Sequence, residues 1–206
     1  MNVQFPRIFR PFFGKTIWRK TPSEKVIYLT FDDGPVPEVT PQVLDILDQY
    51  NWKATFFCVG ENVQKHPELY NEILQRGHKT GNHSFNHLKG FNHTTGEYVD
   101  NVNKASEYID SKLFRPPYGR ITRQQINALK DNYQIIMWDL ITYDYDKKLS
   151  AEQVFGNVKR NLRKGSIVVF HDSVKAKGNV LTVLPKAIEF WQEKGYRFGA
   201  LEVFKV

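Results

Sequence analysis

Two carboxylates stand side by side at Asp32-Asp33, where a run of strand-forming residues, 26–31, meets the break at Gly34-Pro35. Adjacent acids repel each other, so the pair gains nothing as structure unless a cation sits beside it. Successive side chains at a strand end point in different directions, which suits one carboxylate to metal ligation and the other to base chemistry. A plain turn is the competing reading, because Asp-Gly-Pro is also good turn chemistry. Further on, His83-Ser84-Phe85-Asn86-His87 sets two imidazoles four positions apart. On a helical turn they share one face and can chelate a single ion. With Asp33 they supply two nitrogens and one oxygen, a ligand set of catalytic zinc sites that keep a position open for water. Other first-row divalent ions accept the same set. His66, His78 and His93 stand without such company and are read as non-ligands.

These residues need a frame that brings them together. Beyond the first 25 residues, strand-like and helix-like stretches alternate along the chain. The stretches 26–31, 54–59, 78–83, 114–117, 133–140, 166–171 and 196–201 read as strands, the third and fourth being the weakest. Helices are expected at 41–50, 67–76, 94–112, 122–130, 150–162 and 180–194, with Ser150 and Gln153 placed for a capping box. Strand, helix, strand, repeated this often, means parallel strands with helical crossovers. An open doubly wound sheet and a closed barrel both satisfy that pattern. Asp32-Asp33 ends the first strand, His83 the third and His171 the sixth. Arg115-Pro116-Pro117-Tyr118 leaves the fourth strand, and Asp139 and Asp144 accompany the end of the fifth. Only a barrel gathers these ends at one mouth, so the expected fold is α/β, an irregular (β/α) barrel with about seven parallel strands.

Size and composition agree with one domain. The chain has 206 residues, enough to bury a core without disulfides, and its single cysteine excludes a disulfide framework and a cysteine-rich zinc site. Cys58 lies in the apolar run 54–59 and reads as a buried structural thiol. No stretch approaches the roughly 18 apolar residues of a membrane span. The stretch 5–18 is broken by Arg7, Arg10, Lys15 and two prolines, which does not resemble a secretory signal, so a cytoplasmic location is the expectation. The net charge is +7, and residues 1–25 hold six lysines and arginines against Glu24 alone. Residues 1–24 therefore read as a basic, aromatic arm ahead of a catalytic domain at 25–206. Its aromatics, Phe5, Ile8 (as an apolar partner), Phe9, Phe12, Phe13 and Trp18, are expected to pack on the domain while the charges stay in water. Contact with an anionic surface is the alternative role. No motif for nucleic-acid binding is present, and no such partner is expected.

The chain resembles the polysaccharide deacetylase family, the NodB-homology domain of carbohydrate esterase family 4. Recognisable versions of that family's five motifs run in order from Thr30 to His171. The resemblance implies Asp32 as catalytic base and Asp33, His83 and His87 as ligands of one divalent ion, zinc first, with cobalt or manganese next. Arg115 would position Asp32 by a charge-assisted hydrogen bond, and the Tyr118 N–H would serve as oxyanion donor. His171 would be the general acid, with a satisfied core histidine as the plain alternative, and Asp144 would orient it. Val169 matches the apolar wall of the acetyl pocket and Trp138 is a further candidate wall, although core packing explains either equally well. The fourth motif departs from the family's Asp-x-x-Asp-Trp: Ile141 removes the first carboxylate and Tyr145 replaces the indole. Asp139 is a candidate partial substitute. The expected activity is metal-dependent removal of acetyl groups, N-acetyl first, from a sugar polymer or oligomer, the partner being an acetylated glycan. Hydrolysis of a small non-sugar amide and non-catalytic carbohydrate binding are the two rival readings.

Overall fold

The structure, a computed structural model, describes residue 4 and residues 6–202 of the chain. Phe5 and the side chains of Arg7 and Phe9, named above for the arm, lie outside the described residues. In chain order the elements are β1 (Thr16–Ile17), β2 (Val26–Asp32), α1 (Thr40–Gln49), β3 (Thr55–Cys58), α2 (Gly60–Lys65), α3 (Pro67–Gln75), β4 (Lys79–Asn82) and α4 (Thr95–Ser106). Then follow β5 (Leu113–Phe114), α5 (Arg123–Leu129), β6 (Gln134–Ile136), β7 (Leu140–Ile141), α6 (Ala151–Asn161), β8 (Ile167–His171), α7 (Lys177–Glu193) and β9 (Arg197–Phe198). Thr94, Thr122 and Ser150 each close a full capping box at the starts of α4, α5 and α6. No helix among the described residues is long and apolar enough to cross a membrane.

The strands run parallel in the order β1-β6-β5-β4-β3-β2-β8-β7, with β9 beside the first residues of β2. This is a distorted (β/α) barrel. Among the described residues it has nine strands where about seven were expected, for two reasons. The two-residue β1 is too short to show any periodicity, and the expected strand 133–140 is really two. At residues 137–139 the chain crosses from one margin of the sheet to the other. Met137 N–H donates to the Ile17 carbonyl of β1, and Asp139 N–H donates to the Ile167 carbonyl of β8. One segment thus serves both margins, which is what makes the barrel irregular.

Two-residue alternation decides which side chains can do chemistry. Ile27, Leu29 and Phe31 of β2, Phe56 and Cys58 of β3, and Val168 and Phe170 of β8 pack outward against the apolar faces of α1 and α7. Their alternates point inward, where Phe57, Ile136, Ile167 and Leu201 form a small inner cluster. Because Asp32 pairs in register with His171, and Thr30 with Val169, these four share the inner face on adjacent strands. Cys58 is buried and free, as expected, and burial raises its thiol pKa.

The first residues are joined to the barrel through a buried carboxylate. Asp139 is fully buried: its Oδ1 accepts from Arg10 Nη2 at 3.0 Å and from Arg163 Nη2, and its Oδ2 accepts from Arg163 Nε at 2.7 Å and from Ser166 Oγ at 2.9 Å. Arg10 also lies over the Trp18 ring, at 5.1 Å from its centroid. Trp18 is edge-on to Phe13 and meets Trp138, whereas Ile8 and Phe12 remain exposed. Removing the acid would take a buried, shared carboxylate away from two mostly buried arginines. Asp139→Ala should therefore lower the unfolding free energy by about 3 kcal/mol, measured by urea titration. A loss below about 1 kcal/mol would show that surface-like pairing, not a buried staple, holds the seam.

Candidate active site

Among the described residues, Arg115 is the largest charged side chain that is fully buried. It arrives at the end of β5 and lies against the Phe57 ring, 4.0 Å from the centroid. Its Nη1 donates to Asp32 Oδ1 at 2.6 Å and to Thr30 Oγ1 at 2.8 Å. Nε and Nη2 donate to the carbonyls of Ile136 and Met137 at 3.3 and 3.1 Å, where the chain begins to cross the seam. The Arg115 carbonyl in turn pairs with His83 Nδ1 at 2.8 Å. One residue therefore fixes Asp32 and turns His83 so that Nε2 faces outward.

That nitrogen faces Asp33. His83 Nε2 and His87 Nε2 stand 3.8 and 3.2 Å from Asp33 Oδ1. The three residues form the one group of potential metal ligands found among the described residues, with donor atoms within 4.8 Å of one another. Asp33 reaches the group because its φ is 83°, which turns it off the line of β2 while Asp32 stays inward. Burial lowers the His83 pKa to about 4, so the imidazole is neutral and its Nε2 lone pair is available. Burial opposes the charge of Asp33, but the hydrogen bond from His87 and the nearby His171 and His83 outweigh it and keep the acid ionised. Two imidazoles beside an ionised carboxylate, donor atoms facing one another, fit a divalent cation of the zinc class.

The His83-to-His87 segment is not the helical turn that the spacing suggested. Ser84 and His87 both have positive φ, 63° and 58°. Side chains replace the helical ladder: Asn82 Oδ1 accepts the Ser84 N–H, Asn101 Oδ1 the Phe85 N–H, and Ser84 Oγ the Leu88 N–H. The first residues of α2 complete the frame by donating to the Ser84 and Phe85 carbonyls. The other histidines stay apart, as expected. His78 is a buried core residue whose Nδ1 accepts the Ala54 N–H, and His66 and His93 lie near Glu68 and Glu97.

On the far wall, His171 ends β8 and is held twice by Asp144. Its Nδ1 is 2.8 Å from Asp144 Oδ1, and its backbone N–H donates to Oδ2 at 2.7 Å. Tyr145, which stands in the sequence where the family motif has an indole, meets the His171 ring edge-on at 4.6 Å. Asp139 does not replace the carboxylate missing at Ile141, because Arg10, Arg163 and Ser166 already take it. At the opposite rim Tyr118 has φ 59° and its exposed ring sits 4.6 Å from that of His87. Trp138 lies directly under this turn, since a Cβ on Gly119 would come within 2.4 Å of its indole. Val169 is fully buried on the inner face, two residues before His171.

A family model described as polysaccharide deacetylase matches residues 19–134. This chain belongs to that family. It is 34% identical to a peptidoglycan-N-acetylglucosamine deacetylase of Bacillus cereus over 90% of both chains. It is 30% identical to a chitooligosaccharide deacetylase of Azorhizobium caulinodans over 91% of this chain and 88% of that one. Its structure is similar to the crystal structure of the Bc1960 peptidoglycan N-acetylglucosamine deacetylase in complex with 4-naphthalen-1-yl-N-oxidanyl-benzamide. That match has a TM-score of 0.86 and 32% identity, covering 96% of this chain and 95% of that one.

Three residues at the site escaped the sequence reading. Thr30 bridges Arg115 to the Val168 carbonyl, and its strand alternation with Asp32 was the available sign. Asn82 and Asp172 each flank a histidine that had been singled out, His83 and His171, yet neither offered a motif of its own. Asp172 is buried, and burial together with the charge of Asp33 raises its pKa to about 7.

Burial disfavours the imidazolium of His171, but Asp144 first, then Asp33 and Asp32, outweigh it and raise the pKa to about 9. Protonated His171 therefore contributes stability that is complete below about 6.5 and fades as pH rises through about 9. In Asp144→Asn the His171 value should fall back toward 6.5, read from the imidazole proton shifts in an NMR titration. A value unmoved by this substitution would show that Asp144 does not govern the charge of His171.

Proposed function

We propose that this protein is a metal-dependent hydrolase that removes acetyl groups, N-acetyl first, from a sugar polymer or oligomer. One observation supports it above the others. Side chains from the ends of β2, β4, β5 and β8 meet at one mouth and comprise two carboxylates, three imidazoles and a buried guanidinium. A binding protein needs no such set.

Asp33, His83 and His87 would hold the ion, zinc first, with cobalt or manganese next. When bound, a divalent cation in this position supplies Lewis acidity, polarising an acetyl carbonyl and making a water molecule easier to deprotonate. Asp32, fixed by Arg115, takes the proton from the attacking water. The Tyr118 N–H, presented by a left-handed residue between proline and glycine, donates to the oxygen on which negative charge develops. A donor so placed is worth roughly 3 kcal/mol in the transition state. His171 gives a proton to the departing nitrogen, because an unprotonated amide nitrogen leaves poorly. Asp144 keeps it charged at neutral pH and oriented through Nδ1, leaving Nε2 for the transfer. Trp138 and Val169 stand as walls for the acetyl methyl. Tyr145, smaller than the family's indole, alters the room beside His171 and so the range of glycans accepted.

Acetate release from N-acetylglucosamine oligomers, with and without a chelator, tests the scheme. Asp32→Asn should retain the fold and lose about 10²- to 10⁴-fold in kcat, and the chelator should abolish wild-type turnover until metal is restored. Undiminished turnover by metal-stripped or Asp32→Asn protein would defeat the proposal, and turnover confined to small non-sugar amides would move the substrate class.

A further inference from the structure

The turn that carries Asp33 has an anchor that the reaction scheme does not use. Asp172, the residue after His171, is only 1% exposed. Its Oδ1 accepts the Gly34 N–H at 3.1 Å, and its Oδ2 accepts the Thr40 hydroxyl at 2.7 Å. Thr40 Oγ1 in turn accepts the Val36 N–H at 2.7 Å. The Asp172 N–H donates to the Asp32 carbonyl at 3.1 Å, so the ladder between β2 and β8 holds Asp172 itself in place. Both ends of the turn beyond Asp33, at Gly34 and Val36, converge on one carboxylate. The approach is close. A Cβ at Gly34 would stand 1.9 Å from Asp172 Oδ2, which is reason enough for glycine there.

The need for such an anchor lies in Asp33. Its φ of 83° is in the left-handed region that a residue with a Cβ avoids, and a backbone of that kind persists only where its surroundings impose it. Without that rotation Asp33 would continue the alternation of β2 and point outward, away from His83 and His87. The other supports of the turn are uncharged: Asn62 Nδ2 donates to the Asp33 carbonyl at 2.7 Å, and the Val59 N–H donates to the Gly34 carbonyl at 2.9 Å.

We infer that Asp172 is a positioning residue: clamped between Gly34 and Thr40, it locks the left-handed turn that aims Asp33 at the two histidines and so sets the affinity of the site for a divalent ion. The inference rests on the proposed Asp33-His83-His87 triad. A carboxylate accepts both donors at once, whereas asparagine must turn an NH₂ group toward one of them. Polar partners behind metal ligands typically shift metal affinity by about 10- to 100-fold.

Cobalt(II) titration of the purified full chain, followed by visible absorption, reads this without turnover. Wild-type protein should give a saturable band that Asp33→Ala abolishes. Asp172→Asn and Thr40→Val should keep the far-ultraviolet circular dichroism, weaken cobalt binding by about 10- to 100-fold, and regain the band at saturating metal. Thr40→Ser, which keeps the hydroxyl, should bind like wild type. If Asp172→Asn does not fold, Thr40→Val carries the test alone. Wild-type affinity in the folded variants would overturn the inference while leaving the triad standing. A wild-type protein with no saturable band would overturn the triad, and the inference with it.

Discussion

A guanidinium with no access to water must be satisfied entirely by protein, and Arg115 meets that condition by joining several strands of the site at once. It binds Asp32 and Thr30 on β2, two carbonyls at the barrel seam and, through its own carbonyl, His83. A buried charge left unpaired costs several kcal/mol, so none of these partners can drift without penalty. The same requirement explains why the barrel is irregular where it is. The carbonyls of Ile136 and Met137 face the guanidinium at the point where the chain leaves one margin of the sheet for the other.

The site then divides into a rigid part and an imposed part. Asp32 and His171 sit where strand alternation puts them, on adjacent parallel strands and in register, so they need only orientation. Arg115 gives it to the first and Asp144 to the second. Asp33, Ser84, His87 and Tyr118 all have positive φ, and none is a glycine. Their positions are enforced by neighbours: Asn62 and the Gly34 contacts for Asp33, Asn82 and Asn101 for the histidine loop, and the Pro116-Pro117 approach for Tyr118. Concentration of such backbone around one mouth is what a preorganised site looks like.

The same division separates what could be read from the chain from what could not. The alternation of strand-like and helix-like stretches announced parallel strands, and the polar residues at strand ends announced a barrel mouth, because both follow from local pattern. Ser150 with Gln153 announced the start of α6 for the same reason. The loop from His83 to His87 was misread as helical because a four-residue spacing is shared by helices and by loops whose hydrogen bonds come from distant asparagines. The stretch 133–140 was read as one strand because crossing the seam depends on β1 and β8, far away in sequence. Asp139 carries no local sign that two arginines, one far before it and one after it, will claim it. Asp172 was passed over because its partners lie more than a hundred residues earlier.

Asp33, His83 and His87 come together from two separated turns, beside an Asp32 that Arg115 holds, and would share a single cation under the proposed function. Crystals soaked in zinc and measured on both sides of the zinc absorption edge test it directly. One strong anomalous peak is expected within about 2.0–2.2 Å of an Asp33 oxygen and of Nε2 of both histidines. Full-occupancy zinc elsewhere, with no peak between these three side chains, would contradict it.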